Sequence, residues 1–215
     1  MERSFEPELL DTQRFPDAVV ERAYRDLTRL HRFLGHTPAL IRAIRQDPLP
    51  VRRVLDIGCA HGGVLAEIRD RLGVEVIGAD LRPPADALVP VVAADAIRDR
   101  LPDADVAISV CLAHHLSETE LSAFVRNTGR SCRRLILIDL VRHWIPLALF
   151  RVFVAPFFSP LAVVDGLASV RRAYTPAELA RVARQTGVRF RHTVAFGYTS
   201  QTLDITYDRA NRLTN

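Results

Sequence analysis

Three apolar, β-prone runs each stop at an aspartate, and this repeat restricts the fold more than any other feature of the chain. Val54-Leu55 runs into Asp56, Val74 to Ala79 into Asp80, and Val89 to Ala94 into Asp95. Apolar runs bounded in this way read as strands buried on both faces, and strands spaced by helices need parallel crossovers in one doubly wound sheet. The carboxyl ends of neighbouring strands in such a sheet open onto one crevice, so the three aspartates should face a single ligand. After Asp56 the chain continues Ile57-Gly58-Cys59-Ala60-His61-Gly62, a small-residue bend leading into a helix. A side chain at Gly58 or Gly62 would keep a ligand away from the backbone there, so the bend reads as the floor of a nucleotide-type pocket.

The surrounding pattern fills in the same architecture. Apolar spacing predicts a helix over 17–34, stopped by Gly35, and a second from Pro38 to Arg45. Then come a strand at 52–57, helix 62–72, strand 74–79, a short helix at 84–88, strand 90–94, a turn and helix at 96–100, and strand 104–110. Ser117-Glu118-Thr119-Glu120 is a capping box that opens a helix to about Cys132, and Arg134 to Asp139 is a fifth strand. Thr175-Pro176-Ala177-Glu178 is a second capping box with proline at the first helical position. Segments 188–196 and 202–207 alternate as a hairpin. The expectation is an α/β fold with a doubly wound, mostly parallel seven-stranded sheet, finished by a C-terminal antiparallel hairpin. Residues 1–50 form an N-terminal arm, loose over 1–16, and a helical lid. Residues 51–215 form the main body, with an apolar cap insertion at 142–172. All of this is one structural domain, since a chain of 215 residues and 48% hydrophobic content can bury about two thirds of its unfolded surface.

Composition removes several chemistries. All 29 basic residues are arginine, which excludes the Tyr-x-x-x-Lys pair of short-chain dehydrogenases, a P-loop lysine and a Schiff-base lysine. The net charge of +4 is interspersed with acids rather than gathered on one face, so no nucleic-acid partner is expected. Cys59, Cys111 and Cys132 lack zinc spacing, so no metal is expected. An odd cysteine count without a signal peptide points to reduced thiols in the cytoplasm, acting as small buried hydrophobes. Residues 144–164 carry one charge, Arg151, over a length that could span a bilayer. Pro146, Pro156 and Pro160 interrupt them, and the flanking strand and helix would be dragged apart by a span. The segment therefore reads as a substrate-side cap with an apolar lining, or as a membrane-surface or protein contact, and not as a transmembrane helix.

The bend and the aspartate series resemble the class I S-adenosylmethionine-dependent methyltransferases, small-molecule enzymes of the quinone and polyketide type in particular, from about Arg52 to Tyr174. The family's first motif usually reads as an acid followed by Gly-x-Gly-x-Gly, and Ala60 replaces its middle glycine. The resemblance implies S-adenosyl-L-methionine as cofactor. It also implies that Asp56 and the bend from Gly58 through Cys59 and Ala60 to Gly62 lie beneath the methionine part. Asp80 with Leu81 would take the ribose hydroxyls, and Asp95 with Ala96 would frame the adenine. The polar step at Ser109 and the following Cys111-Leu112-Ala113-His114-His115-Leu116 are similar to the post-strand motif of quinone-biosynthesis methyltransferases, with Ser109 on the cofactor side.

An apolar wall beside the transferred methyl argues for a lipophilic acceptor, a phenol, quinol or polyketide-like molecule of secondary metabolism, methylated on oxygen or carbon. Such an acceptor must lose a proton, and histidine titrates near neutrality. His143 and His115 follow the fifth and fourth strands, and His31 is reachable from the lid, so these three are the candidate bases. Tyr24 on the lid, with Arg142, Asp165 and Arg172 near the cap, are candidates for binding the acceptor, although the last three could equally pair with one another. Two other readings stand beside this one. Gly58-x-Ala60-x-x-Gly63 followed by Asp80 is also a degraded dinucleotide fingerprint, which suits a nicotinamide-dependent reductase. The apolar segment 144–164 would also suit a non-catalytic cofactor-binding partner subunit.

Overall fold

The computed structural model describes residues 1–208, so the last seven residues of the expected main body, 209–215, lie outside the described residues. A single seven-stranded sheet runs through the molecule. Its strands are β1 (Arg53–Ile57), β2 (Glu75–Asp80), β3 (Val91–Ala93), β4 (Val106–Val110), β5 (Arg134–Leu140), β6 (Arg189–Val194) and β7 (Ser200–Thr206), in the spatial order β3-β2-β1-β4-β5-β7-β6. The first five are parallel, and β7 runs antiparallel to both β5 and β6. The chain order reverses between β1 and β4, and this switch point is where an open α/β sheet holds its ligand.

Period-two alternation explains why helices cover both faces. Along β5, Leu135 and Leu137 enter one core with Leu55, Phe124, Leu179 and Ile205, while Ile136 and Ile138 enter another with Leu40, Val64, Ile68 and Ile108. The first core lies beneath α5 (Glu118–Ser131) and α8 (Pro176–Gln185), and the second beneath α3 (His36–Arg45) and α4 (Gly63–Leu72). Both expected capping boxes form: Ser117 accepts from the Glu120 amide and Thr175 from that of Glu178, with each glutamate reaching back to its cap.

Three expectations change. The short helices at 84–88 and 96–100 are turns. Asp95 Oδ1 accepts from Ile97 N at 2.8 Å and Leu88 N donates to His61 O at 3.0 Å, so local side-chain and loop bonds compete successfully with helices too short to nucleate. Residues 1–16 are not loose. They contain α1 (Leu9–Thr12), capped by Asp165 Oδ1 and Oδ2, which accept from Leu9 N at 2.8 Å and Leu10 N at 3.1 Å. Arg3 lies 3.8 Å over the Tyr174 ring and donates to the carbonyls of Arg172, His114 and Leu116.

The segment expected as a lid forms α2 (Asp17–Phe33), followed by α3. The cap consists of α6 (Trp144–Leu149), a π-helical turn at Phe150–Val154, a 3-10 turn at Ala155–Phe157, and α7 (Pro160–Arg172). Leu30 of α2 packs with Phe150 and Val154 of the 144–172 segment. No helix among the described residues is long and apolar enough to cross a membrane.

Candidate functional site

One crevice is built at the tips of β1 and β2. Gly58 has φ +75°, so glycine is favoured there by backbone conformation, and a Cβ would press at 3.0 Å on the Leu112 side chain. At Gly62 a Cβ would sit 2.6 Å from the Val89 side chain. Ala60 adopts φ +46°, left-handed backbone that costs a residue with a Cβ about 1 kcal/mol. The bend is held by Asp80, whose Oδ2 accepts from Ala60 N at 2.8 Å and whose Oδ1 accepts from Arg82 N at 2.9 Å. Asp56 lies buried beside it, and burial, with repulsion from Asp80, raises its carboxyl to about 7. Asp95 remains partly exposed just beyond β3, with Ala96 entering the turn that follows, and Leu81, directly after Asp80, is exposed. Ser109 is fully buried, and its hydroxyl donates to Ile57 O at 3.0 Å. It therefore ties β4 to β1 and presents no surface to a ligand.

A second cluster, dominated by histidine, lies at the tips of β4 and β5. Asp139 accepts from both His114 N and His114 Nδ1 at 2.7 Å and so pins the His-His turn. On the other side of that ring, His114 Nε2 lies 3.3 Å from Glu8 Oε1. Burial would push His114 down, but the charge and hydrogen bond of Asp139, with those of Glu8, carry it up to about 9. His114 is therefore a fixed cation at neutral pH. Burial would raise Glu8, yet its bond to His114, the charges of His114 and His115, and a 2.6 Å bond from Ser169 hold it at about 2. His115 Nε2, on a partly exposed ring, is 3.6 Å from Glu8 Oε1. His31 Nδ1 faces His36 Nδ1 at 3.3 Å, and burial depresses the two to about 4 and about 3, so both rings are neutral.

No family model and no curated protein matches this chain. Solved structures do. A plantazolicin methyltransferase in complex with SAH superposes at TM-score 0.65 with 11% identity, over 89% of this chain and 90% of that one. A second plantazolicin methyltransferase, bound to a triazolic desmethylPZN analog and SAH, matches at TM-score 0.65 and 13% identity, over 88% and 91% of the two chains. The magnesium protoporphyrin IX methyltransferase of Synechocystis PCC 6803 with bound SAH matches at TM-score 0.57 and 18% identity, over 91% and 90%. The chain has the class I methyltransferase fold. In this methyltransferase fold the expected donor residues Asp56, Gly58, Cys59, Ala60, Gly62 and Asp80 gather at one bend, while the expected acceptor residues disperse.

His143 N-caps α6, its Nδ1 accepting from Ile145 N at 3.2 Å, and its ring stacks on Tyr198 at 4.8 Å. That nitrogen is occupied in starting a helix, which corrects its reading as the first candidate base. Arg142, Asp165 and Arg172 do not pair with one another. Arg142 grips both Glu178 oxygens and donates to Met1 O; Asp165 caps α1; Arg172 donates to Glu6 O. These three side chains fasten the N-terminal arm and cap. Tyr24 stacks on His61 at 6.0 Å, which sets the lid above the glycine bend. Beneath the cap lies a cavity of about 210 Å³ lined by residues that include Phe33, Leu34, Leu140, Phe150, Phe153 and Val154. Sequence reasoning did not single out Glu8, His36 or Asp139 and took Cys111 for a packing residue. The Gly35 break between two histidines five apart was the one signal available for His36.

Proposed function

We propose that this chain is an S-adenosylmethionine-dependent methyltransferase acting on an oxygen or carbon of a lipophilic small molecule, a phenol, quinol or polyketide-like acceptor, in the cytoplasm. The observation that carries this reading is the pair of carboxylates at the bend, Asp80 holding the Ala60 amide and Asp56 buried behind it. Two close carboxylates, one forced toward its neutral form, make a site that favours a cation. S-adenosylmethionine carries an ammonium and a sulfonium, whereas a nicotinamide dinucleotide brings an anionic pyrophosphate that seeks free amides at a helix N-terminus. Here Asp80 already occupies the Ala60 amide, which disfavours the reductase reading. Cys59, Cys111 and Cys132 form no disulfide among the described residues, which fits a reducing compartment.

The cofactor supplies a methyl group already activated on a sulfonium, so positioning provides most of the rate. Asp80 retains lone pairs for the ribose hydroxyls, and the glycine bend gives the methionine end close access to the backbone. Asp95 and Ala96 flank the adenine side. The cap cavity would hold an apolar ring and exclude water. One neighbour is named for such a flat acceptor, magnesium protoporphyrin IX. His115 would accept the proton of an acceptor hydroxyl, and Glu8, 3.6 Å from His115 Nε2, would stabilise the resulting imidazolium. Exposed Trp144, Val152, Phe153 and Phe157 on the cap offer a membrane-surface or protein contact for delivery of a lipophilic acceptor.

Calorimetry with purified protein is the test. S-adenosylmethionine should bind in the micromolar range, and absence of heat at millimolar ligand rejects the reading. Fluorescence titration with reduced nicotinamide cofactor should show nothing. In a screen of lipophilic phenols with labelled methyl donor, His115→Gln should lower turnover by on the order of 100-fold without changing donor affinity.

A further inference from the structure

Outside the donor crevice, two groups of metal-ligating side chains come together: His31, His36 and Cys111, and Glu8, His114 and His115, with the donor atoms of each group within 4.8 Å of one another. The second group is accounted for by ion pairing among its members and Asp139. The first is not.

Local structure assembles that first group from three elements distant in sequence. His31 sits in the last turn of α2 and His36 opens α3, and the left-handed Gly35 between them (φ +76°) folds the second helix back so that the two rings face each other. Cys111 follows β4 directly and is itself held at φ +57°, a conformation that non-glycine residues adopt only when their surroundings impose it. Two imidazole nitrogens facing at 3.3 Å are far apart for a good hydrogen bond. They match the separation of about 3.3 to 3.4 Å that two nitrogens take when each is about 2.05 Å from one tetrahedral zinc ion.

The geometry points to a transition-metal site formed by His31, His36 and Cys111, with the two-imidazole, one-thiolate donor set that suits zinc or a similar late divalent ion. Three protein ligands leave a fourth position for water or a substrate heteroatom, as in metal sites that take part in chemistry rather than only in folding. The site borders the acceptor cavity, because Leu34 and Leu140 line that cavity and pack in the same small cluster as Cys111.

The test is titration of the full chain, stripped of metal with a chelator, with Co²⁺ alone and then Zn²⁺. One equivalent of Co²⁺ should produce tetrahedral d–d absorption and a thiolate-to-cobalt charge-transfer band, both removed by one equivalent of Zn²⁺. Cys111→Ser should abolish the charge-transfer band and weaken binding by on the order of 100-fold, with an unchanged far-ultraviolet dichroism spectrum. If that variant does not fold, His31→Gln serves instead, with the d–d spectrum and affinity as readouts. The inference is overturned if no stoichiometric Co²⁺ binding occurs, if the band survives in Cys111→Ser, or if binding is lost in Glu8→Gln while Cys111→Ser retains it. Metal binding is read without turnover. A protein that takes S-adenosylmethionine but no cobalt therefore rejects the metal site alone, and the reverse result rejects the methyltransferase reading alone.

Discussion

The two ends of the sheet treat charge in opposite ways. At the amino ends of the parallel strands, Arg134 donates to both oxygens of Asp204 at 2.8 Å and to Asp47 Oδ2 at 2.9 Å, while Arg133 reaches Asp47 Oδ1 at 2.6 Å. These four charges are mutually matched. At the carboxyl ends, Asp56 is buried beside another carboxylate, His31 faces His36, and non-glycine residues Ala60 and Cys111 hold left-handed backbone. The contrast separates a part of the molecule arranged for stability from one arranged for a ligand, in which unfavourable terms persist until something binds.

The largest expected effect removes the matched end. Arg134→Ala leaves Asp47 and Asp204 without their shared cation and should cost about 3 kcal/mol in urea unfolding, with donor affinity unchanged. If affinity fell as well, the two ends would not be independent. Next is Asp80→Ala, which should weaken S-adenosylmethionine binding by on the order of 100-fold, or about 2.7 kcal/mol, in calorimetry.

Asp56→Asn should act in the other direction on stability. The folded carboxyl keeps its proton to about 7, whereas the unfolded one loses it near 4. Wild-type stability therefore falls as pH rises through that interval, because the native state binds more protons than the unfolded state. The variant escapes this loss, and its gain should be fully developed above about pH 7 and vanish below about pH 4. Thermal unfolding across pH measures it, and a gain greatest in acid would refute the assignment. Smallest is Ala60→Gly, which relieves a left-handed alanine and should stabilise by about 0.5 to 1 kcal/mol.

The same division governs how much was legible in the sequence. Parallel strands buried on both faces announce themselves as apolar runs, and the bend at Gly58 and the capping boxes at Ser117 and Thr175 are contiguous signals. The donor crevice was readable because one chain segment and two strand tips supply it. The acceptor crevice draws Glu8 from the arm, His31 and His36 from two helices, Cys111 and His114 from beyond β4, and Asp139 from β5. No local spacing encodes that meeting. His143 looked equivalent to His115 because both follow strands, and only the capping bond to Ile145 separates them. The turns at 84–88 and 96–100 show the opposite error, in which helical composition was too short to prevail over Asp95 and its neighbours.

The N-terminal arm is fastened to the strand tips by a few bonds between polar groups: Arg3 to carbonyls, Glu8 to Ser169 and His114, and Asp165 to the amides of Leu9 and Leu10. Fastenings of this kind let go one at a time and leave the hydrophobic layers beneath intact. Opening of this clasp would uncover the strand tips without unpacking those layers, which makes the first dozen residues a place where exchange with solvent can be controlled.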